Sequence, residues 1–387
     1  MITMNWKRSL EKLCLLVLVF VVAITALTGC SQQTATKKDE QIQVTDLAGR
    51  EVKIKAPANK VVLQWSGSGG GFITMLALAG KDAPQKIAGW DYGLRNFRFD
   101  MWKKYSEAMP ELEKIPDVGN IDQDSFSVEK VISLKPDVLV LPLGLVKQSQ
   151  DIVKKLETAG IPTVFIDYHT ESIENHTKSI LLMGKILGKE QQAQELATYH
   201  QEQVNKIYSR LKAINKPKPK VYVEVGSEGP ATYGNTYGNS MWGALVEQCG
   251  GVNITKDKFE KWGQINPEFL LKANPDIIII TGSYWPKKPE SMRLGFMSDT
   301  VESQKLLEAF TKRTGWSELN AVKNKQVSSI HHGISREVYD LVVIQYLAKR
   351  FYPEEFKDVD PLASFQEFHK KFLPVELSGI WMMELQN

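Results

Sequence analysis

Cysteine is nearly absent: Cys14, Cys30 and Cys249 are the only three in 387 residues. Cys14 lies inside the one long apolar run, Leu13–Leu27, so a disulfide framework or a cysteine metal cluster in the folded part is excluded. Cys249, in Val-Glu-Gln-Cys-Gly-Gly, closes an apolar helical stretch and reads as a small buried hydrophobe. No His-Glu-x-x-His, Gly-x-Ser-x-Gly or Cys/His nucleophile pair occurs, and no concentrated His/Asp/Glu set. An enzyme is therefore not expected. The net charge of +3 is close to neutral for this length, without basic blocks interleaved with aromatics, which excludes nucleic acid as a partner. Proline is missing between Glu171 and Ile214, and glycine there is confined to Gly184 and Gly188. From Lys189 to Ile214 apolar residues recur at helical spacing, which predicts a long helix ended by Pro217 and Pro219.

What is present is a duplication. Ser127–Leu141 reads SVEKVISLKPDVLVL and Asn266–Ile280 reads NPEFLLKANPDIIII. In each copy a polar cap and an acidic residue (Glu129, Glu268) open a short apolar helix. A Pro-Asp turn follows, then an apolar run of the kind that forms a buried parallel strand. Buried strands need helices on both faces, so two copies predict an α/β chain of two similar lobes rather than one large sheet. Val44–Ile54 predicts a hairpin turning at Leu47–Arg50. Further strands are expected at Lys60–Gln64, Lys86–Asp91, Thr163–Asp167 and Lys220–Val225.

The N-terminus predicts export. Lys7, Arg8 and Lys12 precede the apolar run, which is too short for a comfortable bilayer span and ends in Leu-Thr-Gly-Cys30. That ending resembles a bacterial lipobox, implying a signal peptide over residues 1–29 and a lipid on Cys30. An ordinary signal anchor, with Cys30 incidental, is the alternative. Residues 30–43 are polar and lack aromatics, as expected of a flexible tether. The expected organisation continues with one lobe over 44–170, a helical segment over 171–216 and a second lobe over 217–387.

Two α/β lobes, one connecting helix and a lipoprotein leader resemble the substrate-binding proteins of ABC importers for iron–siderophores, haem and vitamin B12. The hairpin TDLAGREVKIKAPANKVV, the segment Met241–Ile254 ending in Cys-Gly-Gly-Val-Asn-Ile, and the repeated E-x-x-[IL]…P-D carry the resemblance, which extends over most of residues 44–350. It implies two Rossmann-like lobes joined by one long α-helix. It also implies a lipid-anchored, extracytoplasmic monomer without a cofactor that delivers a metal chelate to a permease dimer with its ATPase subunits. Glu129 and Glu268 would then meet arginines of the two permease subunits; a helix-dipole role at the first turn is the alternative. The tail Phe351–Asn387 goes beyond the compact vitamin B12-binding members.

A cleft that holds a bulky chelate calls for aromatic faces, a few cations and close backbone approach. Ser66–Gly71 follows a strand and precedes a helix; its backbone, with Ser68, Gly69 and Gly70, either meets an anionic group or serves as a flexible turn. Trp65, Trp90 and Tyr92 suit stacking and Arg95 suits a carboxylate; Trp90, Tyr92 and Arg95 share the loop Gly89–Phe97 with Phe97. In the second lobe the candidates are Tyr233, Tyr237 and Trp262, whose spacing to Glu268 resembles a ligand-stacking tryptophan of the B12-binding relatives. Core packing is the alternative for each aromatic taken alone. His331, His332 and Arg336 follow a strand. Adjacent histidines on a strand diverge, so no two-histidine metal site is expected, although one imidazole suits an open axial position. A small oxyanion such as molybdate or tungstate, held by the glycine-rich loop, is the second ligand class; an extracytoplasmic enzyme is the third reading.

Overall fold

The computed structural model describes residues 40–386, so the leader, Cys30 and most of the tether lie outside the described residues. Glu40–Gln43, expected in the tether, instead belong to strand β1 (Glu40–Thr45), which pairs antiparallel with β2 (Glu51–Ala56) along its whole length, from Glu40↔Ala56 to Thr45↔Glu51. The turn is held by Asp46, whose carboxylate accepts from the Ala48 and Arg50 amides and from the Arg50 guanidinium.

Strands β3 (Val61–Leu63), β4 (Ile87–Trp90), β5 (Val138–Pro142) and β6 (Thr163–Ile166) form a parallel sheet in the order β4-β3-β5-β6. A second sheet has the order β13-β12-β11-β7-β9. It is built from β7 (Lys220–Val225), β9 (Val252–Asn253), β11 (Ile277–Gly282), β12 (Val327–His331) and β13 (Met382–Glu384), with β13 its antiparallel edge. Between them in sequence, β8 (Thr236–Tyr237) and β10 (Trp262–Gly263) make a separate two-residue ribbon. The helices that matter below are α1 (Gly71–Ala79), α2 (Val128–Leu134), α3 (Ile173–Leu187), α4 (Glu190–Lys212), α5 (Pro267–Ala273), α6 (Leu341–Phe351) and α7 (Pro361–Phe372).

The repeat folds twice in the same way. Ser127 caps α2 by accepting from Lys130 N, and Asn266 caps α5 by accepting from Glu268 N. Each helix ends on a left-handed residue, Lys135 (φ 49°) or Asn274 (φ 45°), and the following proline cannot continue it. The Asp137 carboxylate accepts from the amides of Asn59 and Lys60; that of Asp276 accepts from Lys220 N. In each lobe the Pro-Asp turn thus fixes the start of the neighbouring first strand.

The long helical segment is two helices. α3 stops at Gly188 (φ 63°), where a Cβ would press on Pro57, and the longer α4 then leads into the second sheet. The lobes also meet at the back. Asp100 accepts from Phe296 N at 2.7 Å, and Phe99 stacks on Tyr284. The tail places α7 against α1 of the first lobe and β13 beside β12 of the second, with Trp381 buried among Phe296, Phe365 and His331.

Candidate functional site

In both sheets the chain reverses direction beside the first strand, between β3 and β5 and between β7 and β11. Loops leaving the carboxyl ends of strands at such a switch point enclose a crevice. Here they enclose a cleft of about 850 Å³ lined by residues from both sheets' loops.

The first-lobe wall is organised by Asp91. Its buried carboxylate accepts from Gly93 N at 2.6 Å and lies 3.0 Å from Ser66 Oγ, tying the glycine-rich loop to the loop after β4. Burial raises its pKa to about 6. Trp65 holds a left-handed backbone (φ 54°) uncommon for a bulky residue, and its indole donates to Asp122 Oδ2 at 2.5 Å. Its ring stands 4.8 Å from that of His169. His169 follows β6 and is oriented by Asp167, whose Oδ1 accepts from the His169 amide. Beside it Glu171 is buried in the wall, also at positive φ (49°).

The second-lobe wall rests on a buried ion pair. Glu224 on β7 binds Arg313 through both oxygens, at 2.7 and 2.9 Å, and accepts from Gly234 N; Arg313 in turn donates to the carbonyls of Gly229, Pro230 and Thr232. A bidentate pair of this kind fixes direction as well as distance. The segment so anchored leads into β8, where Tyr237 pairs in register with Trp262 of β10. Directly opposed residues of an antiparallel pair project to one face, and both side chains line the cleft. Trp262 remains 52 % exposed, while across the cleft Phe97 of the first lobe is 49 % exposed.

His332 and Arg336 complete the floor. Thr281 Oγ1 lies 3.0 Å from His332 Nδ1. Burial and then the Arg336 charge hold the pKa values of His332 and His169 well below the ordinary histidine range. Both imidazoles are thus neutral at physiological pH.

Of the residues expected at the site, Trp65, Ser68, Tyr237, Trp262, His332 and Arg336 line the cleft together. The others do not. Trp90 is the last residue of β4 and is 1 % exposed, packed between Phe72 and Trp102. Tyr92 packs against the core, and Arg95 lies over Tyr92 and Trp102 on the exposed side of the loop. Gly69 turns back, its amide donating to Trp65 O. Gly70 (φ 74°) lies flat on Tyr168, where a Cβ would fall 2.1 Å from the ring. Tyr233 packs on Trp316 and Arg313 beneath the second-lobe loop. His331 points into the core against Trp381, away from His332. Glu129 and Glu268 are exposed in the first turns of α2 and α5. Sequence reasoning did not reach Asp122, His169, Glu171 or the Glu224–Arg313 pair. His169 was accessible to it, because it lies two residues past a recognised strand end.

Residues 85–332 match the sequence profile of the family described as Periplasmic binding protein. The chain belongs to that family. A solved structure, the TroA-like periplasmic binding protein FepB from Veillonella parvula, is 54 % identical, with a TM-score of 0.86, over 89 % of this chain and 100 % of that one. The chain is 31 % identical over 251 residues to YvrC of Bacillus subtilis, an uncharacterized ABC transporter substrate-binding lipoprotein, covering 64 % of this chain and 71 % of YvrC. It is 24 % identical to the molybdate-binding protein MolA of Haemophilus influenzae over 85 % of this chain and 90 % of MolA. This periplasmic binding protein is accordingly the substrate-binding component of an ABC transporter, and its relatives are binding proteins rather than enzymes.

Proposed function

We propose that the cleft captures a metal chelate, a ferric siderophore, haem or corrinoid, and delivers it to the permease. The observation that carries this reading is the aromatic clasp. Trp262 and Tyr237, side by side on one ribbon, face a cavity whose opposite wall holds Trp65 and Phe97. Flat or bulky ligands gain most from such faces. Arg336 supplies a cation for an anionic ligand group, and the neutral imidazoles of His169 and His332 keep a lone pair for an open coordination position. Held by its lipid at Cys30, the protein would meet its transporter through Glu129 and Glu268.

The oxyanion reading has the similarity to MolA behind it. Against it stands the glycine-rich loop, where the amides of Ser68 and Gly69 are both taken up by Trp65 O. The absorbance spectrum of protein purified from its native host separates the two. A Soret band, corrinoid bands or a ferric charge-transfer band supports the chelate; a colourless protein whose melting temperature rises with molybdate alone overturns it. For the chelate that binds, Trp262→Ala is expected to weaken affinity by about 1–3 kcal/mol. Unchanged affinity with lowered stability would assign Trp262 to packing instead.

A further inference from the structure

Behind the cleft, where α3, α4 and α6 converge, a polar cluster interrupts the apolar core. His176 of α3, His200 of α4 and Asp340, which precedes α6, are all buried. One donor atom from each lies within 4.8 Å of the others. His200 Nε2 is 2.5 Å from Asp340 Oδ1, and His176 Nδ1 is 2.8 Å from Asp340 Oδ2. The second contact is short but not directed as a hydrogen bond, and both nitrogens of His176 lack a hydrogen-bond partner among the described residues. A hydrogen bond requires the N–H to point at its acceptor. Ligands grouped around a common centre instead approach one another closely while aiming between themselves.

The geometry points to a structural site for a divalent transition-metal ion of zinc-like chemistry, held by His176 Nδ1, His200 Nε2 and the Asp340 carboxylate. A divalent cation there would give the buried Asp340 carboxylate a counter-charge, which offsets the cost of an unpaired buried charge. A nitrogen–oxygen set selects zinc, nickel or copper over calcium or magnesium. Metal–ligand bonds of about 2.0–2.2 Å place neighbouring ligand atoms roughly 3.3 Å apart, so binding opens the His176 contact by about 0.5 Å and the His200 contact by about 0.8 Å. Bound there, the ion would pin the connecting helices α3 and α4 to α6. The site is separate from the cleft and stands whatever ligand the cleft takes.

The test uses the tag-free full chain, purified from zinc-supplemented medium and dialysed against metal-free buffer. Elemental analysis is expected to find zinc in stoichiometric amount. After chelator treatment, added zinc sulfate should raise the melting temperature, and cobalt chloride should give the visible absorption of a tetrahedral nitrogen–oxygen site. His176→Gln and His200→Gln should each lower the retained metal at least tenfold, whereas His332→Ala, altered in the cleft, should keep it. Should these variants fail to fold, the wild-type metal content and cobalt spectrum still decide. Metal-free wild-type protein unmoved by zinc overturns the assignment, as does an ion lost in His332→Ala but kept in His176→Gln.

Discussion

The two copies of the repeat are nearly identical as scaffolding and quite different as walls. In both, a capped helix of seven residues, a left-handed C-terminal residue and a Pro-Asp turn deliver a buried central strand, and Asp137 and Asp276 clamp the start of the strand beside it. Past the carboxyl ends of the strands the likeness stops. The first lobe offers a short glycine-rich loop tied down by Asp91, while the second offers a longer segment anchored by Glu224 and Arg313 that carries the β8–β10 ribbon. Duplication preserves what folds a lobe; what the lobe touches is free to diverge, because loop residues make few of the contacts that hold the sheet.

The comparison can be broken first at the cores. Trp90 in the first lobe and Trp316 in the second are both fully buried. Trp90→Ala and Trp316→Ala are each expected to cost about 3–5 kcal/mol in urea unfolding. Separate transitions in the two variants would show the lobes unfolding independently, and a single shared transition would show them coupled through the back contacts.

A smaller, asymmetric effect is expected at the Pro-Asp turns. Asp137→Ala strands two amides that the carboxylate satisfies and Asp276→Ala strands one. Each charge-assisted bond contributes about 1.5–3 kcal/mol, so the first-lobe variant should show the lower denaturation midpoint. Equal midpoints would count against the aspartate clamp as the stabilising element.

Buried acids give the lobes different pH responses. Burial raises Asp91 and Asp100 of the first lobe to about 6, and Glu337 of the second to about 8. A carboxyl group with a raised folded pKa keeps its proton in the folded state after the unfolded chain has released it. Its stabilising contribution is therefore complete below the ordinary value of 4.5 and is lost as pH climbs through about 8. Melting temperature should accordingly fall between pH 6 and 8 in the wild type and fall less in Glu337→Gln. An identical slope in both proteins would remove Glu337 as the cause.

The least effect on the molecule itself is expected at the paired surface glutamates. Glu129→Ala with Glu268→Ala should leave ligand affinity intact and change stability by no more than about 1 kcal/mol, while ATPase coupling in the reconstituted transporter falls. Normal transport by the double variant would confine both residues to helix-end electrostatics.

The scaffold was legible because it is written locally. The polar caps Ser127 and Asn266, the prolines after Lys135 and Asn274, and the apolar strand runs all act within a few residues. The tether boundary was misplaced because Glu40–Gln43 are polar, and only the pairing with Ala56–Lys53 makes them a strand. The site was legible in part. Tyr237 and Trp262 sit on a ribbon of two residues per strand, too short for any periodicity to announce, and only its register brings them together. Trp90 looked like its loop neighbours but is the last residue of the edge strand β4, and its side chain faces the core. Glu224 and Arg313, like His200 and Asp340, are far apart in sequence, so their pairing exists only in the folded chain.

The tail changes how the empty protein differs from the loaded one. With α7 lying on the first lobe, β13 stitched to the second and Asp100 bonded across to Phe296, the two lobes are fastened behind the cleft as well as through the connecting helices. Such a body works less like a jaw than like a cup with a soft rim. The exchange rate of cargo would then be governed by excursions of the Phe97 and Trp262 loops, and a transporter inspecting the outer surface would learn of occupancy from the rim rather than from the distance between the two glutamates.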